Sequence, residues 1–228
     1  MKKVCVLLCA LLFSLSGRSQ TITFQAGPAI SHIDMMLDVS GYQYKVRSET
    51  FVGFSAFLGV DYLEKKYFHL SSNLGYIQKG GEYNEFPEEL SFFIQFLPGY
   101  DFQGMKGILD YVSVNTLVNL KYPIAGKVTP YISFGPRVDY LFDFNDLFVK
   151  YEEINEIGKL SYGLLLGGGV KYRYNRMSFG VRSDYYLNFV KVADEKIDYE
   201  ELEKLGLEAR ISVEDKVYSL QFSIGYHF

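Results

Sequence analysis

The chain has 228 residues, with 23 Lys and Arg against 27 Asp and Glu and a formal net charge of −4. This acidic balance argues against a nucleic-acid-binding protein, because binding a polyphosphate requires a surplus of basic side chains. The chain is rich in Tyr and Phe, lacks Trp, and has a mean hydropathy of zero. Beyond the N-terminal segment, no window is apolar enough for a transmembrane helix. A membrane protein of this composition is therefore a closed β-barrel.

The first 19 residues predict a secretory signal peptide. Two lysines precede a short apolar run, and small residues follow it up to Ser19, after which we expect cleavage. Both cysteines, Cys5 and Cys9, fall inside this segment, so the mature chain has neither a disulfide nor a reactive thiolate. Residues 20–228 are predicted to form one domain. Its formal charge is −7, because residues 1–19 hold three of the 23 basic residues and none of the 27 acidic ones.

The rest of the chain alternates apolar and polar side chains over eight segments. In the last segment, KVYSLQFSIGYHF, every second residue from Tyr218 to Phe228 is apolar or aromatic. Because successive side chains of a strand point to opposite faces, each segment predicts a strand with one apolar and one polar face. The predicted strands cover 21–33, 50–62, 67–79, 109–122, 129–142, 160–174, 177–189 and 216–228. Three apolar residues on the polar faces are predicted to fill a narrow interior: Phe57, Leu117 and Leu165.

Short and long connections alternate between these strands. The predicted tight turns are 63–66, 123–127 and 175–176, and the longer loops are 34–49, 80–108, 143–159 and 190–215. This asymmetry is typical of outer-membrane barrels, whose turns are periplasmic and whose loops are extracellular. We therefore predict an all-β fold: an eight-stranded antiparallel up-and-down transmembrane β-barrel in the cell outer membrane, with both termini on the periplasmic side. The alternative is a soluble barrel of the lipocalin type, with its apolar face inward. The polar faces carry Gly and small residues as often as charges, which favours a cramped lumen over an aqueous surface.

Two motifs and several longer segments resemble a known family. The first motif follows the third strand and reads Y-x-Q-K-G, at Tyr76 to Gly80; the second lies in the fifth strand and reads P-Y-x-x-x-G-P, at Pro130 to Pro136. With the segments 57–82, 162–174 and the C-terminal strand, they resemble the PorT-like outer-membrane β-barrel proteins of Bacteroidetes. The resemblance implies the fold and the membrane rather than an activity, since these are packing and turn residues. One departure is Val112-Ser113-Val114-Asn115, where the family has a Leu-Glu-Ile-Pro-like segment.

An eight-stranded barrel is narrow, so side chains fill its lumen. The charged residues on the polar faces are therefore the candidate lumen network. They are Asp61, His69, Lys121, Arg137, Asp139, Lys171, Arg173, Arg182 and Asp184. Two Arg–Asp pairs lie two positions apart on their strands, so each pair shares one face. The network is either a small anion site or proton relay, or a set of structural pairs, because buried charges must be paired.

No metal or cofactor site is predicted. His32, His69 and His227 lie on three different strands, and the chain has no His-x-His spacing. An enzyme that modifies lipids needs a nucleophile and a base near one rim of the barrel. His32 is the candidate base at the outer rim, and no convincing serine accompanies it. We therefore expect a protein that is not an enzyme.

The two longest loops are the expected interaction surface. Loop 80–108 carries a run of apolar residues that includes Phe92, Phe93, Ile94, Phe96 and Tyr100. This run either extends the barrel wall or covers the lumen, or it binds a partner, as exposed apolar patches do.

Loop 190–215 is acidic, has no EF-hand spacing and predicts a solvated surface. The expected role is structural or binding through both loops. The expected partners are outer-membrane lipid, lipopolysaccharide and an envelope protein. The alternatives are a component of a secretion or envelope complex, a lipid-modifying enzyme and a soluble lipocalin-like carrier.

Overall fold

The computed structural model describes residues 20–83, 105–122, 124, 127–146, 158–197 and 209–228. These residues contain ten strands: β1 (Thr21–Val39), β2 (Tyr42–Arg47), β3 (Glu49–Tyr62), β4 (Phe68–Tyr83), β5 (Met105–Lys121), β6 (Val128–Asp146), β7 (Leu160–Tyr174), β8 (Met177–Asn188), β9 (Ala193–Ile197) and β10 (Ala209–His227). Within the described residues, no helix has the length and apolar character to span a bilayer.

Eight of the strands close into one antiparallel ring. Each of β1, β3, β4, β5, β6, β7, β8 and β10 pairs with the next, and β10 pairs back with β1. The β1–β10 register is constant along the strands, from Thr21 opposite His227 to Val39 opposite Ala209. The predicted eight-stranded up-and-down barrel is confirmed. The shorter β2 and β9 lie above the ring, where they pair with the loop-end halves of β1 and β10.

The outer face of the ring is apolar. On β10, the side chains of Tyr218, Leu220, Phe222 and Ile224 are 40–60% exposed, whereas Gln221 between them is buried. The outward residues of β1 from Ile22 to Ile30 follow the same pattern, over roughly 26 Å of strand at 3.3 Å per residue. A soluble barrel turns its apolar side inward, so this pattern excludes the lipocalin-type alternative. The barrel is of the transmembrane, outer-membrane type.

Exposed tyrosines surround the barrel at both edges of this apolar band. Tyr67, Tyr122, Tyr172, Tyr174 and Tyr226 form the girdle at the turn end, and Tyr140, Tyr162 and Tyr218 lie at the loop end. Aromatic side chains with one polar atom favour the membrane–water interface, so the girdles mark its two borders.

The wall rises above the membrane because β1 and β2 form a hairpin beyond it. Ser40 and Gly41 connect them with φ of 50° and 91°, the positive values that a two-residue hairpin turn requires. Ser48 then separates β2 from β3. Three residues between Arg47 and Phe51 face only two on β1, which makes a bulge. The Ser48 hydroxyl accepts the Ile33 N–H at 2.8 Å, and the Ser48 N–H donates to the Ile33 carbonyl at 2.9 Å.

The predicted loops 34–49 and 190–215 are therefore wrong in part, because much of each is strand. In both, the alternation continues with the opposite sense. Ile33, Met35, Leu37 and Val39 point inward on β1, as do Ile211 and Val213 on β10. Above the membrane the outer face meets water and the interior is shielded, so the apolar residues change sides. The predicted loops 80–108 and 143–159 are also shortened, since β4 continues to Tyr83, β5 begins at Met105 and β6 continues to Asp146.

Candidate functional site

The lumen is closed at the loop end by an apolar cap. Its members are inward side chains of the extended wall that are almost fully buried and that pack in one cluster. They include Ile33, Met35, Leu37, Val39, Val46, Tyr83, Leu109, Leu141, Val192, Ile211 and Val213. The sequence-based prediction missed this cap, because it assigned most of these residues to loops. Among the described residues, side chains packed in this way leave no polar path at this end of the lumen.

A charged layer lies directly beneath the cap, and Lys79 is at its centre. The Lys79 Nζ atom lies 2.9 Å from Asp139 Oδ2 and 2.9 Å from Asp215 Oδ2, and all three side chains are buried. The ammonium is also 4.4 Å from the ring centre of Tyr111. Lys79 thereby joins β4 to β6 and β10 across the barrel, and one cation faces two carboxylates.

Arg137 supplies the second cation of this layer. Its Nη1 atom is 3.1 Å from Asp139 Oδ2, and its guanidinium lies 4.7 Å from the ring centre of Tyr186. Its Nη2 atom donates to the side-chain oxygen of Asn188, and Asn188 Nδ2 donates to Asp215 Oδ1 at 2.6 Å. The layer therefore holds two cations and two carboxylates in one connected network. Charge balance of this kind is what allows ionised groups to remain buried.

A polar layer of amides, hydroxyls and one further ion pair fills the middle of the lumen. Asn73 Nδ2 donates to Asn115 Oδ1 at 2.7 Å, and Gln25 Nε2 donates to Asn73 Oδ1 at 3.1 Å. The Arg182 Nε atom lies 2.7 Å from both carboxylate oxygens of Asp184. Gly167 faces this carboxylate, and a Cβ atom there would lie 1.9 Å from Asp184 Oδ1. The glycine is therefore needed for the close approach of the ion pair.

A cavity of about 190 Å³ occupies the turn end of the lumen. The Lys171 Nζ atom lies 2.7 Å from Asp61 Oδ2 on one side of it, and Lys121 Nζ lies 2.9 Å from Glu64 Oε1 on the other. Burial by itself raises the pKa of Glu64 in the turn, but the hydrogen bond and charge of Lys121, together with smaller electrostatic contributions from His69 and His227, outweigh it and lower the pKa. The cavity contrasts with the layers above it, where side chains pack against one another.

The nine predicted lumen residues thus lie in three groups rather than one. Arg137 and Asp139 belong to the charged layer, Arg182 and Asp184 form their own pair, and Asp61, His69, Lys121, Lys171 and Arg173 line the turn-end cavity. Arg173 is exposed at the cavity mouth. The prediction missed Lys79, Asp215 and Asn188. The alternating pattern places Lys79 on the polar face of its strand, so this residue could have been predicted. Asp215 falls in a predicted loop, so the pattern gave no indication of it.

The histidines occupy two places. His32 is on the outer face of β1, where its register partner on β10 is Lys216. His69 and His227 both line the turn-end cavity, although β4 and β10 are not neighbours in the ring. The three histidines were expected to lie apart from one another, but only His32 is separate from the other two. Within the described part of the chain, no group of three or more His, Cys, Asp or Glu is placed to hold a metal ion.

A second charged cluster lies outside the barrel, just above the apolar band. Asp34 is four residues beyond Ile30 and accepts from Arg47 Nε at 2.9 Å, Lys45 Nζ at 3.0 Å and Lys216 Nζ at 3.0 Å. Burial by itself raises the pKa of Asp34, but these three donors outweigh it and hold the pKa well below its usual range. Glu214 is the register neighbour of Asp34 on β10, so three cations meet two carboxylates here.

The predicted loop surface falls outside the described residues. Phe92, Phe93, Ile94, Phe96 and Tyr100 lie between β4 and β5, in the range 84–104, and most of the acidic residues of loop 190–215 lie in the range 198–208. The β4–β5 pairing that leads into the first of these ranges reaches Tyr83 opposite Met105.

Neither a protein-family model nor a curated protein sequence matches this chain. Among solved structures, it is similar to the outer membrane protein OprG from Pseudomonas aeruginosa, with 15% identity, a TM-score of 0.56, and 91% of this chain and 95% of that chain covered. It is also similar to Ail, the attachment invasion locus protein of Yersinia pestis, with 13% identity, a TM-score of 0.37 and coverages of 90% and 99%. A third is the outer membrane protease OmpT from Escherichia coli, with 9% identity, a TM-score of 0.42 and coverages of 93% and 98%. The likeness to OprG shows a shared small outer-membrane barrel fold, and the other two superpose too loosely to add to it.

Proposed function

We propose that this chain is a non-enzymatic outer-membrane protein that conducts no solute and acts by binding at its loop end. The observation that carries the proposal is the closed lumen. The side chains of Lys79, Asp139 and Asp215 meet across the barrel, and each is at most 1% exposed. The apolar cap covers them. An eight-stranded ring is already too narrow for an open channel. The surfaces left for function are the loop end, the outer rim and the turn-end cavity.

Conductance measurement tests the closed lumen. Protein purified from the outer-membrane fraction is reconstituted in planar bilayers. Its folded state is checked on a denaturing gel, where the folded barrel migrates faster when the sample is not boiled. We expect no ion conductance above the bare bilayer, while a 16-stranded porin in the same bilayer conducts, since barrels of that size keep an aqueous channel. Stepwise conductance from the folded protein would overturn the proposal.

The surroundings of His32 support a non-enzymatic role. The Nε2 atom of its ring is buried and has no hydrogen-bond partner among the described residues, so this atom is not paired with a serine nucleophile in that part of the chain. We expect His32→Ala to leave the lipid A acyl pattern of the producing cells unchanged. A changed pattern would show that the barrel is an enzyme acting on lipid.

The outer cluster around Asp34 supports a lipid partner. Lys45, Arg47 and Lys216 point away from the barrel at the upper edge of the apolar band, and Lys45 and Arg47 are 48% and 59% exposed. Phosphates of the outer leaflet lie at this height, and Arg and Lys are the usual partners of phosphate. We include lipopolysaccharide phosphate as the ligand of this cluster.

Lipid retention tests this part of the proposal. The variant Lys45→Gln/Lys216→Gln is compared with the wild type and with Lys106→Gln, which removes an exposed lysine that lies over Phe51 on β3 and is not bonded to Asp34. We expect less lipopolysaccharide to co-purify with the double variant and no change in Lys106→Gln. Equal retention in all three proteins contradicts a phosphate site at the cluster.

The loops carry the remaining part of the proposal, which rests on their sequence. The aromatic residues of loop 80–108 are proposed to contact an envelope protein. The substitutions Phe92→Ser, Phe93→Ser and Phe96→Ser, made together, are expected to abolish cross-linking to that partner while the barrel stays folded. Co-purification of an export machinery would favour the alternative of a secretion or envelope complex.

The proposal also includes membership of the PorT-like family and cleavage of a signal peptide. The Y-x-Q-K-G motif that carries the resemblance to the PorT-like barrels of Bacteroidetes contains Lys79, the centre of the charged layer. A buried lysine with partners on two other strands is a physical reason for such a motif to persist. The proposal also includes removal of residues 1–19, and N-terminal sequencing of the membrane-embedded protein is expected to begin at Gln20.

A further inference from the structure

The turn-end cavity has the composition of a binding site rather than of a packing defect. It lies inside the ring of wall strands and runs from buried residues at its inner end to the exposed side chains of Lys66 and Arg173 at its mouth. Its volume of about 190 Å³ is several times the roughly 30 Å³ that one water occupies in the liquid. In an outer-membrane barrel this mouth faces the periplasm, because the short turns do.

The lining carries more positive than negative charge. Four basic residues, Lys66, Lys121, Lys171 and Arg173, face two carboxylates. Both carboxylates are already engaged, since Asp61 pairs with Lys171 and Glu64 pairs with Lys121. Within the described residues, neither Lys66 nor Arg173 has a carboxylate within ion-pair distance. Lys66 Nζ lies 5.1 Å from the ring centre of Tyr67, and Arg173 Nε donates to the Asn175 carbonyl at 3.5 Å. Neither contact neutralises the charge, so both side chains keep donors for an incoming anion.

His69 supplies a second, independent observation. Its side chain is only 7% exposed and lines the cavity, yet neither ring nitrogen makes a hydrogen bond within the described part of the chain. The Nε2 atom lies 3.7 Å from Asp61 Oδ2, which is too long for a hydrogen bond. A buried donor without an acceptor is unfavourable, and an oxygen atom of a ligand in the cavity supplies that acceptor.

We propose that this cavity binds a tetrahedral oxyanion of the phosphate class, either free or as a phosphate monoester. Arg173 and Lys66 hold its outer oxygens through charge-assisted hydrogen bonds, which are the strongest that a protein offers to phosphate. The His69 N–H donates to an inner oxygen. Lys171 and Lys121 neutralise Asp61 and Glu64, so the net positive charge of the cavity is that of Lys66 and Arg173. This site is independent of the loop-end function proposed above, because the charged layer and the apolar cap separate the two.

Isothermal titration of the folded protein in detergent with inorganic phosphate tests the proposal. The test variant is Lys66→Gln/Arg173→Gln, which changes two exposed side chains and is expected to fold. The matched control is Lys65→Gln, because Lys65 is the exposed neighbour of Lys66 in the same turn and does not line the cavity. We expect saturable binding by the wild type and by Lys65→Gln, and a loss of affinity of at least about tenfold in the double variant. Both variants are checked for folding by the gel shift without boiling.

A third variant and a second ligand make the outcome specific. His69→Phe keeps a ring of similar shape without its donor and is expected to weaken binding severalfold. Glycerol phosphate in place of phosphate distinguishes the source of the anion: tighter binding identifies a monoester, and equal or weaker binding identifies the free ion. Unchanged affinity in the double variant, equal losses in the Lys65→Gln control, or no saturable binding at millimolar phosphate would each overturn the site.

Discussion

The membrane-spanning section and the loop-end section of the barrel use the same strands with opposite chemistry. Below the level of Ile30, the outward side chains are apolar and the lumen holds amides, hydroxyls and charges. Above it, Ile33 and Leu37 point inward into a dry cap, while Asp34 and Asp38 point outward. The two sections share an unbroken β1–β10 register. The surroundings of the wall, rather than the backbone, decide which face is apolar.

This inversion explains where the buried charges lie. Lys79, Asp139 and Asp215 occupy the level between Ile77 and Tyr83 on β4, at which the polar interior gives way to the apolar one. Charges at this height have apolar side chains above them and lipid around the wall, so they must neutralise each other. The turn-end charges differ, because the cavity connects them to solvent. The same residue types therefore tie strands together at one level and leave a cavity open at the other.

The largest expected effect comes from removing the central cation of the charged layer. Lys79→Met leaves Asp139 and Asp215 with one buried cation between them, and we expect a loss of about 3–5 kcal/mol in the free energy of unfolding. Urea unfolding in lipid vesicles measures it. In the double variant Lys79→Met/Asp215→Asn the layer is neutral again, so part of the stability returns. Lys121→Met, in the turn-end cavity where its partner Glu64 is 29% exposed, is the comparison, and an equal loss there would contradict the distinction between the two levels.

The second effect tests the outer face on a single strand. Ala26 lies in the middle of the apolar band of β1, and Met36 lies on the same face of the same strand above it. We expect Ala26→Arg to cost about 2–4 kcal/mol, because it places a charge at the bilayer midplane. Met36→Arg meets water and is expected to change stability by less than about 0.5 kcal/mol. The ratio of folded to unfolded protein in vesicles measures both, and equal costs would place the membrane border elsewhere.

The third effect concerns the apolar cap. Leu37→Ala removes a buried side chain and is expected to cost about 2–3 kcal/mol, at the low end for core leucines because the cap is small. The loss is expected to be local. Amide hydrogen exchange should rise in β1 and β2 above Ile30 and stay low in the membrane section. Met36→Ala, on the outer face, is the control. Faster exchange throughout the barrel would mean that the two sections unfold together.

The membrane section could be predicted from the sequence because its signal is local. Strict alternation over several residues is a strand signal that needs no partner, and it placed all eight wall strands and the inward Phe57, Leu117 and Leu165. The loop-end section was missed for a physical reason. The prediction assumes that apolar residues always face the lipid. Above the membrane they face inward instead, so the alternation seems to stop, and residues 34–47 are predicted as loop although they form two strands and the turn between them.

The candidate sites divide in the same way. The pairs Arg137–Asp139 and Arg182–Asp184 follow from spacing alone, because residues two apart share a face, and the structure brings each pair into contact. The partners of Lys79 lie 60 and 136 residues away, so nothing near Lys79 in the sequence identifies them. His69 and His227 face one cavity from strands that are not adjacent, and that proximity depends on the diameter and stagger of the barrel rather than on any motif.

The smallest expected effect is the acid sensitivity of the outer cluster, which separates a structural role of Asp34 from its role in lipid binding. The folded pKa of Asp34 lies below its ordinary value, because three hydrogen bonds outweigh burial. Its contribution to stability is therefore complete above an unfolded-state pKa of about 3.9 and disappears as the pH falls through the lower folded value. We expect Asp34→Asn to be less stable at pH 7 by at most about 1 kcal/mol, since its partners are exposed and salt screens them. In urea titrations, the difference in free energy of unfolding between wild type and variant should persist from pH 7 to about 4 and disappear below it.

Because Asp34→Asn also adds one net positive charge, it should retain lipopolysaccharide at least as well as the wild type. Reduced retention would mean that Asp34 positions the three basic side chains, rather than merely offsetting their charge.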